Sequence, residues 1–225
     1  MSAIYRLVGM EIDMKSRGES TRERLLDAAK TLVMSKGFSG TSIDDVLKAT
    51  GMTKGAFFHH FKGKADLARE LVKRYALNDL KMFQDFDEES QAQSNDPLQQ
   101  MLIFLELFEA YISKSDDPAP GCMYAVYTYE SRQFDPDVLD FVSDTLRQWT
   151  AIYVRKFQEV MDQYDPALDV TARQLAEMIV SVIEGGLVLQ RAHGDTGTTR
   201  RQSEQFRNYL TLLFGAERKK NAKVA

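Results

Sequence analysis

A chain of 225 residues has room for one or two globular domains, since independently folding cores usually span about 100 to 200 residues. Hydrophobic residues make up 44% and charged residues 28% of the chain, a balance typical of a folded, water-soluble protein. Cys122 is the only cysteine, which excludes an internal disulfide and a zinc site built on cysteine pairs. The apolar runs fall short of the roughly 20 residues that span a bilayer, so we expect no membrane segment, no secretion signal and a cytoplasmic location.

Charge is unevenly distributed along the chain, whose formal net charge is −4. Residues 15–75 carry 13 Lys and Arg against 7 Asp and Glu, whereas residues 76–225 carry 15 against 24. A basic segment on an acidic body indicates that one end meets a polyanion while the remainder keeps the protein soluble.

Apolar residues recur at three- and four-residue spacing along most of the chain, which indicates amphipathic helices. Capping residues and breakers divide this pattern into predicted helices at about 20–36, 42–50, 54–60, 65–87, 97–114, 122–131, 136–164, 171–192 and 199–214. The polar stretch Glu88 to Asp96 and the breaker-rich stretch Ser115 to Gly121 are predicted to be loops. No segment shows the period-two alternation of strands, so we predict an all-α fold with about nine helices.

The second and third predicted helices are joined by the tight sequence Ala49-Thr50-Gly51-Met52, a spacing typical of a helix-turn-helix. Such a motif projects the start of its second helix into a major groove while neighbouring helix ends hold phosphates. Thr53 caps that helix, Gly55 allows close approach to DNA, and the histidine rings can reach base edges or phosphates. These residue types predict double-stranded DNA as a partner.

The stretch from Thr41 to Leu67, centred on Gly51-Met52-Thr53-Lys54-Gly55-Ala56-Phe57-Phe58-His59-His60-Phe61-Lys62-Gly63-Lys64, resembles the DNA-binding signature of the tetracycline-repressor (TetR) family of bacterial regulators. The resemblance covers about residues 20–70 and implies a homodimer whose third helices read the two half-sites of a palindromic operator. Residue by residue, it implies phosphate contacts by Thr41, Thr53, Phe58, His60 and Lys64, and base contacts by Lys54, Gly55 and His59. The family usually has tyrosine at position 58. The resemblance therefore implies that the Phe58 ring packs against the DNA backbone, but without a hydroxyl that could donate to a phosphate.

The resemblance and the helix pattern together divide the chain into four predicted parts. These are a flexible arm at 1–19, a helix-turn-helix domain at 20–67, a helical regulatory and dimerisation domain at 68–216, and a polar tail at 217–225. Residues 1–13 contain no readable element, and we expect DNA binding to survive their deletion. The helices at about 171–192 and 199–214 are predicted to form the dimer, with Gly185 and Gly186 allowing close approach of helices at that interface.

Aromatic residues are frequent in the C-terminal two-thirds of the chain, where they can line an apolar pocket for a small-molecule effector. The candidate ligand-binding residues are Phe104, Phe108, Tyr111, Tyr127, Trp149 and Tyr153. Ordinary core packing is the alternative for each of them, and the resemblance does not identify the effector.

Two other classes of protein were weighed against a DNA-binding regulator. An enzyme is disfavoured because the sequence has no glycine-rich phosphate loop, nucleophile elbow or metal-ligand spacing, so we expect no catalysis, no cofactor and no metal. A helical adaptor without DNA binding is the second alternative, and the helix-turn-helix pattern is then a plain helical corner. His59 and His60 point about 100° apart on a helix, which disfavours a metal site. Cys122 is interpreted as a structural thiol, with a redox switch as the alternative.

Overall fold

The computed structural model describes residues 17–114 and 121–215, and within these ranges every regular element is helical. The elements are α1 (Arg17–Lys36), α2 (Ile43–Thr50), α3 (Lys54–His60), α4 (Lys64–Gln93), α5 (Pro97–Ser113), α6 (Met123–Tyr129), a short 3-10 helix (Ser131–Gln133), α7 (Pro136–Gln163), α8 (Ala172–His193) and α9 (Thr198–Phe214). The predicted all-α class is confirmed. Most of the predicted arm at 1–19, nearly all of the predicted loop at Ser115 to Gly121 and the tail at 217–225 lie outside the described residues.

Two helix boundaries differ from the predicted ones. Helix α1 begins at Arg17, ahead of the predicted cap, and α4 continues to Gln93, so the prediction of a loop from Glu88 was wrong for residues 88–93. This stretch is polar because its side chains are mostly exposed, and glutamate, glutamine and alanine are strong helix formers. Its local contacts are helical as well, since Gln93 Nε2 donates to Glu89 Oε1 at 2.8 Å, one turn away.

The described residues group into two compact units, each with a core of its own. The first contains residues up to Leu80 together with Gly121–Leu146, and the second contains the remainder of α4, α5, and the chain from Arg147 onward. The predicted domain boundary at residue 67 divides the chain at a single point. The first unit instead combines the helix-turn-helix with α4 up to Leu80, with α6 and with the first turns of α7.

The core of the first unit is built from the apolar stripes of its helices. Its fully enclosed side chains are Leu25, Leu26, Ala29, Val33, Val46, Phe57, Phe61, Leu71, Val72 and Tyr127. Phe57 and Phe61 belong to this core, because both rings are inaccessible to solvent. They fix α3 against the rest of the unit.

The core of the second unit joins α5, the later turns of α7, α8 and α9. Its buried members include Leu98, Met101, Phe104, Leu105, Tyr153, Phe157, Ile179, Phe206, Leu210 and Phe214. Local signals place the helix ends: Asp96 Oδ1 accepts from the amides of Leu98 and Gln99, and Thr171 forms a capping box with Gln174.

The two glycines in the middle of α8 have different surroundings. A Cβ on Gly186 would lie 2.9 Å from the Cα atom of Thr199 in α9, whereas a Cβ on Gly185 would meet nothing within 4 Å. The predicted close approach of helices therefore occurs at Gly186, and it lies within one chain between α8 and α9.

Replacing Gly186 by alanine should lower the free energy of unfolding by about 1 to 2 kcal/mol, because overpacking against a backbone atom outweighs the gain in helix propensity. The matched variant Gly185→Ala should raise it by up to about 1 kcal/mol, since only propensity changes there. Urea unfolding of both variants measures the difference. Equal stabilisation by the two substitutions would contradict the close approach.

Candidate nucleic-acid interface

Helices α2 and α3 are joined by a tight turn whose geometry follows from local sequence signals. Ser42 and Asp45 form a capping box at the start of α2, and Gly51 ends that helix with a φ of 69°, in the left-handed region. Thr53 then caps α3, its hydroxyl accepting from the amide of Ala56 at 3.2 Å. The predicted helix-turn-helix is therefore present at the predicted residues.

Helix α3 has a buried side and an exposed side. Phe57 faces the core with no exposed surface, and its ring packs on Phe61 with centroids 5.5 Å apart. Lys54, Gly55, Phe58 and His59 are exposed to solvent, with Gly55 and His59 on the side opposite Phe57, and Phe58 is 55% exposed. The three residues predicted to contact bases are thus all exposed on α3, and Phe58 is exposed as well.

The lysines near this face differ in how far they are engaged within the chain. Lys54 Nζ lies 3.3 Å from Asp44 Oδ1 in a pair whose side chains are both at least 70% exposed, so solvent screens the attraction. Lys62 is exposed just beyond α3. Both side chains are positioned to exchange solvent for a phosphate.

Two of the residues predicted to contact phosphates, Thr41 and Lys64, donate hydrogen bonds within the chain, and a third, His60, has a shifted pKa. Thr41 is buried, and its hydroxyl donates to the Gly37 carbonyl oxygen at 2.8 Å. Lys64 Nζ donates to the Phe38 carbonyl oxygen at 2.7 Å and lies 4.3 Å from the centre of the Phe38 ring. Burial, followed by the nearby charges of His59 and Arg22, lowers the pKa of His60 below its ordinary value, which favours a neutral imidazole at pH 7.

The two lysines at the joint between α3 and α4 should therefore give different results in DNA binding. Lys64→Ala should lower the free energy of unfolding by about 1 kcal/mol through loss of its contacts to Phe38 and leave the salt dependence of DNA affinity unchanged. Lys62→Ala should leave stability unchanged and reduce the logarithmic salt slope by about one. Titrations of a DNA duplex at several salt concentrations decide between them, and a reduced slope for Lys64→Ala would return that residue to the phosphate contacts.

Glu130 is a positioning residue that sequence patterns did not indicate. It follows α6, and its carboxylate accepts from the amide of Phe38 at 3.0 Å and from the amide of Ser39 at 2.6 Å. The Ser39 hydroxyl donates to the same carboxylate. A Cβ on Gly37 would meet Glu130 Oε1 in this arrangement, and the φ of 79° at Gly37 favours glycine there. Glu130 thus fixes the α1–α2 connection from a point about 90 residues further along the chain.

The ionisation of Glu130 reflects the balance of these contacts. Burial by itself raises the pKa of this carboxyl group, but hydrogen bonds from Ser39 and Phe38 and the charge of Lys64 lower it more, leaving the pKa below its ordinary value. The contact is therefore made by a carboxylate at neutral pH.

The predicted ligand-binding aromatics fall into separate groups. Phe104, Trp149 and Tyr153 lie together in the second unit with Phe83 and Phe86, and we call these five residues the aromatic cluster. Phe108 is buried elsewhere in the described core, and Tyr111 is 55% exposed with its ring edge against Phe86. Tyr127 belongs to the first unit, where its hydroxyl donates to the Ala68 carbonyl oxygen at 2.7 Å. Tyr127 therefore belongs to a different unit from the other candidates.

Two polar atoms of the aromatic cluster are buried without a hydrogen-bond partner among the described residues. They are Nε1 of Trp149 and the hydroxyl oxygen of Tyr153. Burying such a group unpaired costs about 1 to 3 kcal/mol, so native cores rarely keep one without a reason. Burial also raises the pKa of Tyr153, which keeps the phenol protonated.

The described residues contain neither a metal-ligand group nor a membrane-spanning helix. Among residues 17–114 and 121–215, no three His, Cys, Asp or Glu side chains are grouped so as to hold a metal ion. None of the described helices combines the length and apolarity needed to cross a bilayer. Cys122 is half-buried at the start of α6.

An all-helical chain with this turn between α2 and α3, and with an exposed face on an anchored α3, defines a helix-turn-helix protein of the DNA-binding class. The family model described as bacterial regulatory proteins, tetR family, matches residues 25–71, and the model described as tetracyclin repressor-like, C-terminal domain, matches residues 97–206. The protein belongs to the TetR family and is a DNA-binding transcriptional regulator.

Comparison with individual proteins agrees with this assignment. The chain is 26% identical over 183 residues to the uncharacterized HTH-type transcriptional regulator YxaF of Bacillus subtilis (strain 168), covering 81% of this chain and 90% of that protein. It is 25% identical over 177 residues to the HTH-type transcriptional regulator LmrA of the same strain, covering 77% and 87%. A crystal structure of a TetR-family transcriptional regulator from Agrobacterium tumefaciens shares the fold with a TM-score of 0.73 at 23% identity, over 85% of this chain and 98% of that one.

Proposed function

We propose that the protein is a ligand-responsive repressor of the cytoplasm, which binds a palindromic operator in double-stranded DNA as a homodimer. A small molecule bound in the helical domain at 68–216 releases it from the operator. The domain at 20–67 supplies the DNA contacts, with Thr53, Lys54, Gly55, Phe58 and His59 at the interface. These five residues are exposed at the cap of α3 or along it.

The observation that carries the DNA-binding role is the glycine at position 55. A Cβ there would meet only Thr53 Oγ1, at 3.8 Å, so the fold of the chain itself does not require glycine. Glycine inside a helix is unfavourable compared with most other residues. The glycine at position 55 is explained if a partner approaches the backbone of α3 closely. The sugar-phosphate backbone or the base edges of a DNA major groove are such a partner.

The test is the substitution Gly55→Gln, with Ala92→Gln at the exposed end of α4 as its matched control. Gly55→Gln should raise the free energy of unfolding by about 0.5 kcal/mol through helix propensity and weaken binding to a selected duplex at least tenfold. Ala92→Gln should leave DNA affinity within about twofold, because it lies far along α4 from α3. Binding is measured by gel shift at two salt concentrations, since phosphate contacts impose a steep loss of affinity with salt.

A helical adaptor without DNA binding predicts another outcome of the same experiment. Such a protein shows no salt-dependent duplex binding, and Gly55→Gln then changes stability alone. That result would remove the proposed function.

Exposed apolar residues on α8 and α9 support the proposed dimer. Val188 is 57%, Leu189 44% and Leu212 77% exposed in the single chain. Two such helices per subunit can form a four-helix interface across a two-fold axis. Val182, by contrast, packs partly against the core of its own chain, so a charge there would test folding together with assembly.

Helix α4 is the proposed link between ligand and DNA. Three residues separate its start from the end of α3, and its later turns carry Phe83 and Phe86 of the aromatic cluster. A ligand that empties a nearly fully occupied operator must prefer the released form by roughly 5 kcal/mol. New contacts to the later turns of α4 can supply part of that preference.

A further inference from the structure

The aromatic cluster brings two unsatisfied hydrogen-bonding groups to one place on α7. Trp149 and Tyr153 are four residues apart, so their side chains lie on the same face of the helix. Both side chains are buried, and neither the indole N–H nor the phenol hydroxyl meets a partner in the described ranges. An indole N–H can only donate, and a phenol can donate or accept. A molecule placed between them would therefore need an acceptor for Trp149.

The side chains packed against Trp149 and Tyr153 are flat and apolar. The ring of Phe83 lies 4.4 Å from that of Trp149, 5.6 Å from that of Tyr153 and 5.5 Å from that of Phe104, centroid to centroid. The interplanar angles are 35° to Trp149 and 75° to Tyr153, so the rings of the cluster meet at tilted and edge-on angles. Such faces favour another aromatic ring in an offset or edge-on position.

The charged groups at the edge of the cluster already neutralise one another. Lys156 is 7% exposed, its ammonium group pairs with the Asp87 carboxylate, and it lies 5.0 Å from the centre of the Phe104 ring. A ligand carboxylate would have to displace Asp87, and a ligand cation would meet Lys156. A buried charge without a partner is strongly disfavoured, so the cluster favours an uncharged ligand.

We propose that the aromatic cluster recognises an uncharged aromatic molecule with an acceptor oxygen, of the aryl ketone class, which accepts from Trp149 and hydrogen bonds with Tyr153. The proposal rests on the proposed function, since it names the chemical class of the effector. Tyr111 and Phe86 are the outer edge through which such a molecule enters. Tyr111 is exposed, and its ring meets Phe86 edge-on at 6.0 Å.

Three probes of similar ring size separate the features of this ligand class. Chromone is an uncharged bicyclic aromatic ketone, naphthalene lacks the acceptor oxygen, and chromone-2-carboxylate adds a negative charge. Trp149 is the only tryptophan of the sequence, so the intrinsic fluorescence of the DNA-free protein reports directly on the cluster. Chromone should change that fluorescence saturably, and naphthalene and the carboxylate should each bind at least tenfold more weakly.

The variant Tyr153→Phe removes only the hydroxyl and keeps the ring. It should weaken chromone binding about tenfold, while its melting temperature stays equal to or above that of the parent, because an unpaired buried hydroxyl is lost. Tyr129→Phe is the matched control, since Tyr129 is 82% exposed in the other unit, and it should change neither quantity. Trp149→Phe, followed by calorimetry, should also weaken chromone binding about tenfold.

The outcomes distinguish this proposal from the regulator itself. Equal binding of chromone and naphthalene, no saturable binding of chromone, or unchanged binding by Tyr153→Phe and Trp149→Phe would each overturn the ligand class. Operator binding is measured separately in the absence of any probe, so its failure removes the proposed function while leaving the result for the cluster readable.

Discussion

Replacing Leu212 by glutamate is expected to separate the proposed dimer into monomers and to weaken operator binding at least a hundredfold. Leu212 is 77% exposed on α9, and Leu189, at 44%, is exposed on α8. Burying a carboxylate in an apolar interface without a partner costs several kcal/mol, and each two-fold related copy carries the charge. A monomer keeps only one recognition helix, so it loses the second half-site of a palindrome.

Sedimentation velocity and DNA titration of Leu212→Glu and Leu189→Glu measure both effects. Leu168→Glu is the matched control, because this leucine is also 57% exposed but lies outside α8 and α9. The control should remain dimeric with parental DNA affinity. Dimers of unchanged affinity for both interface variants would place the two-fold contact elsewhere.

Replacing Glu130 by alanine is expected to lower the free energy of unfolding by about 2 to 3 kcal/mol and to weaken operator binding about tenfold. The substitution leaves the amides of Phe38 and Ser39 without their acceptor, and hydrogen bonds to a charged group contribute about 1.5 to 3 kcal/mol. The α1–α2 connection that they fix leads directly into the cap of α2.

The Glu130→Gln variant keeps an acceptor oxygen and the side-chain length but removes the charge, so its loss should be about half that of alanine. Because the pKa of Glu130 is depressed in the folded protein, its contribution is present above the ordinary glutamate pKa and is lost as pH falls through the folded value. The stability difference between parent and Glu130→Gln should therefore shrink as pH is lowered through this window. A difference that is constant with pH would mean that the carboxylate charge plays no part.

The turn between α2 and α3 could be predicted from the sequence because its determinants are local. Ser42, Gly51 and Thr53 each act within one helical turn, as a capping box, a left-handed helix end and a side-chain cap. Phe57 could be predicted as a core residue for the same reason, since helical period alone places it opposite Gly55 and His59.

The contacts that join distant segments could not be predicted in this way. Glu130 is separated from Ser39 by 91 residues. No local sequence pattern indicates that this carboxylate accepts hydrogen bonds from backbone amides in the α1–α2 connection. Tyr127 is an aromatic residue of the kind that lines ligand pockets, yet its hydroxyl donates to the carbonyl oxygen of Ala68, 59 residues away in the sequence. Lys64 fits the family pattern for a phosphate contact, while its surroundings in this chain include the Phe38 carbonyl oxygen.

Selection of bound sites from a pool of random DNA duplexes is the most direct test of the central claim, a dimeric helix-turn-helix regulator that reads an operator. The parent protein should enrich a palindrome whose half-sites are related by two-fold symmetry, and Gly55→Gln should fail to enrich it under the same conditions. Binding to the enriched duplex should fall steeply with salt and exceed binding to random duplexes by about a thousandfold or more. Enrichment of no sequence, or of a single asymmetric site bound equally well by Leu212→Glu, would contradict the account.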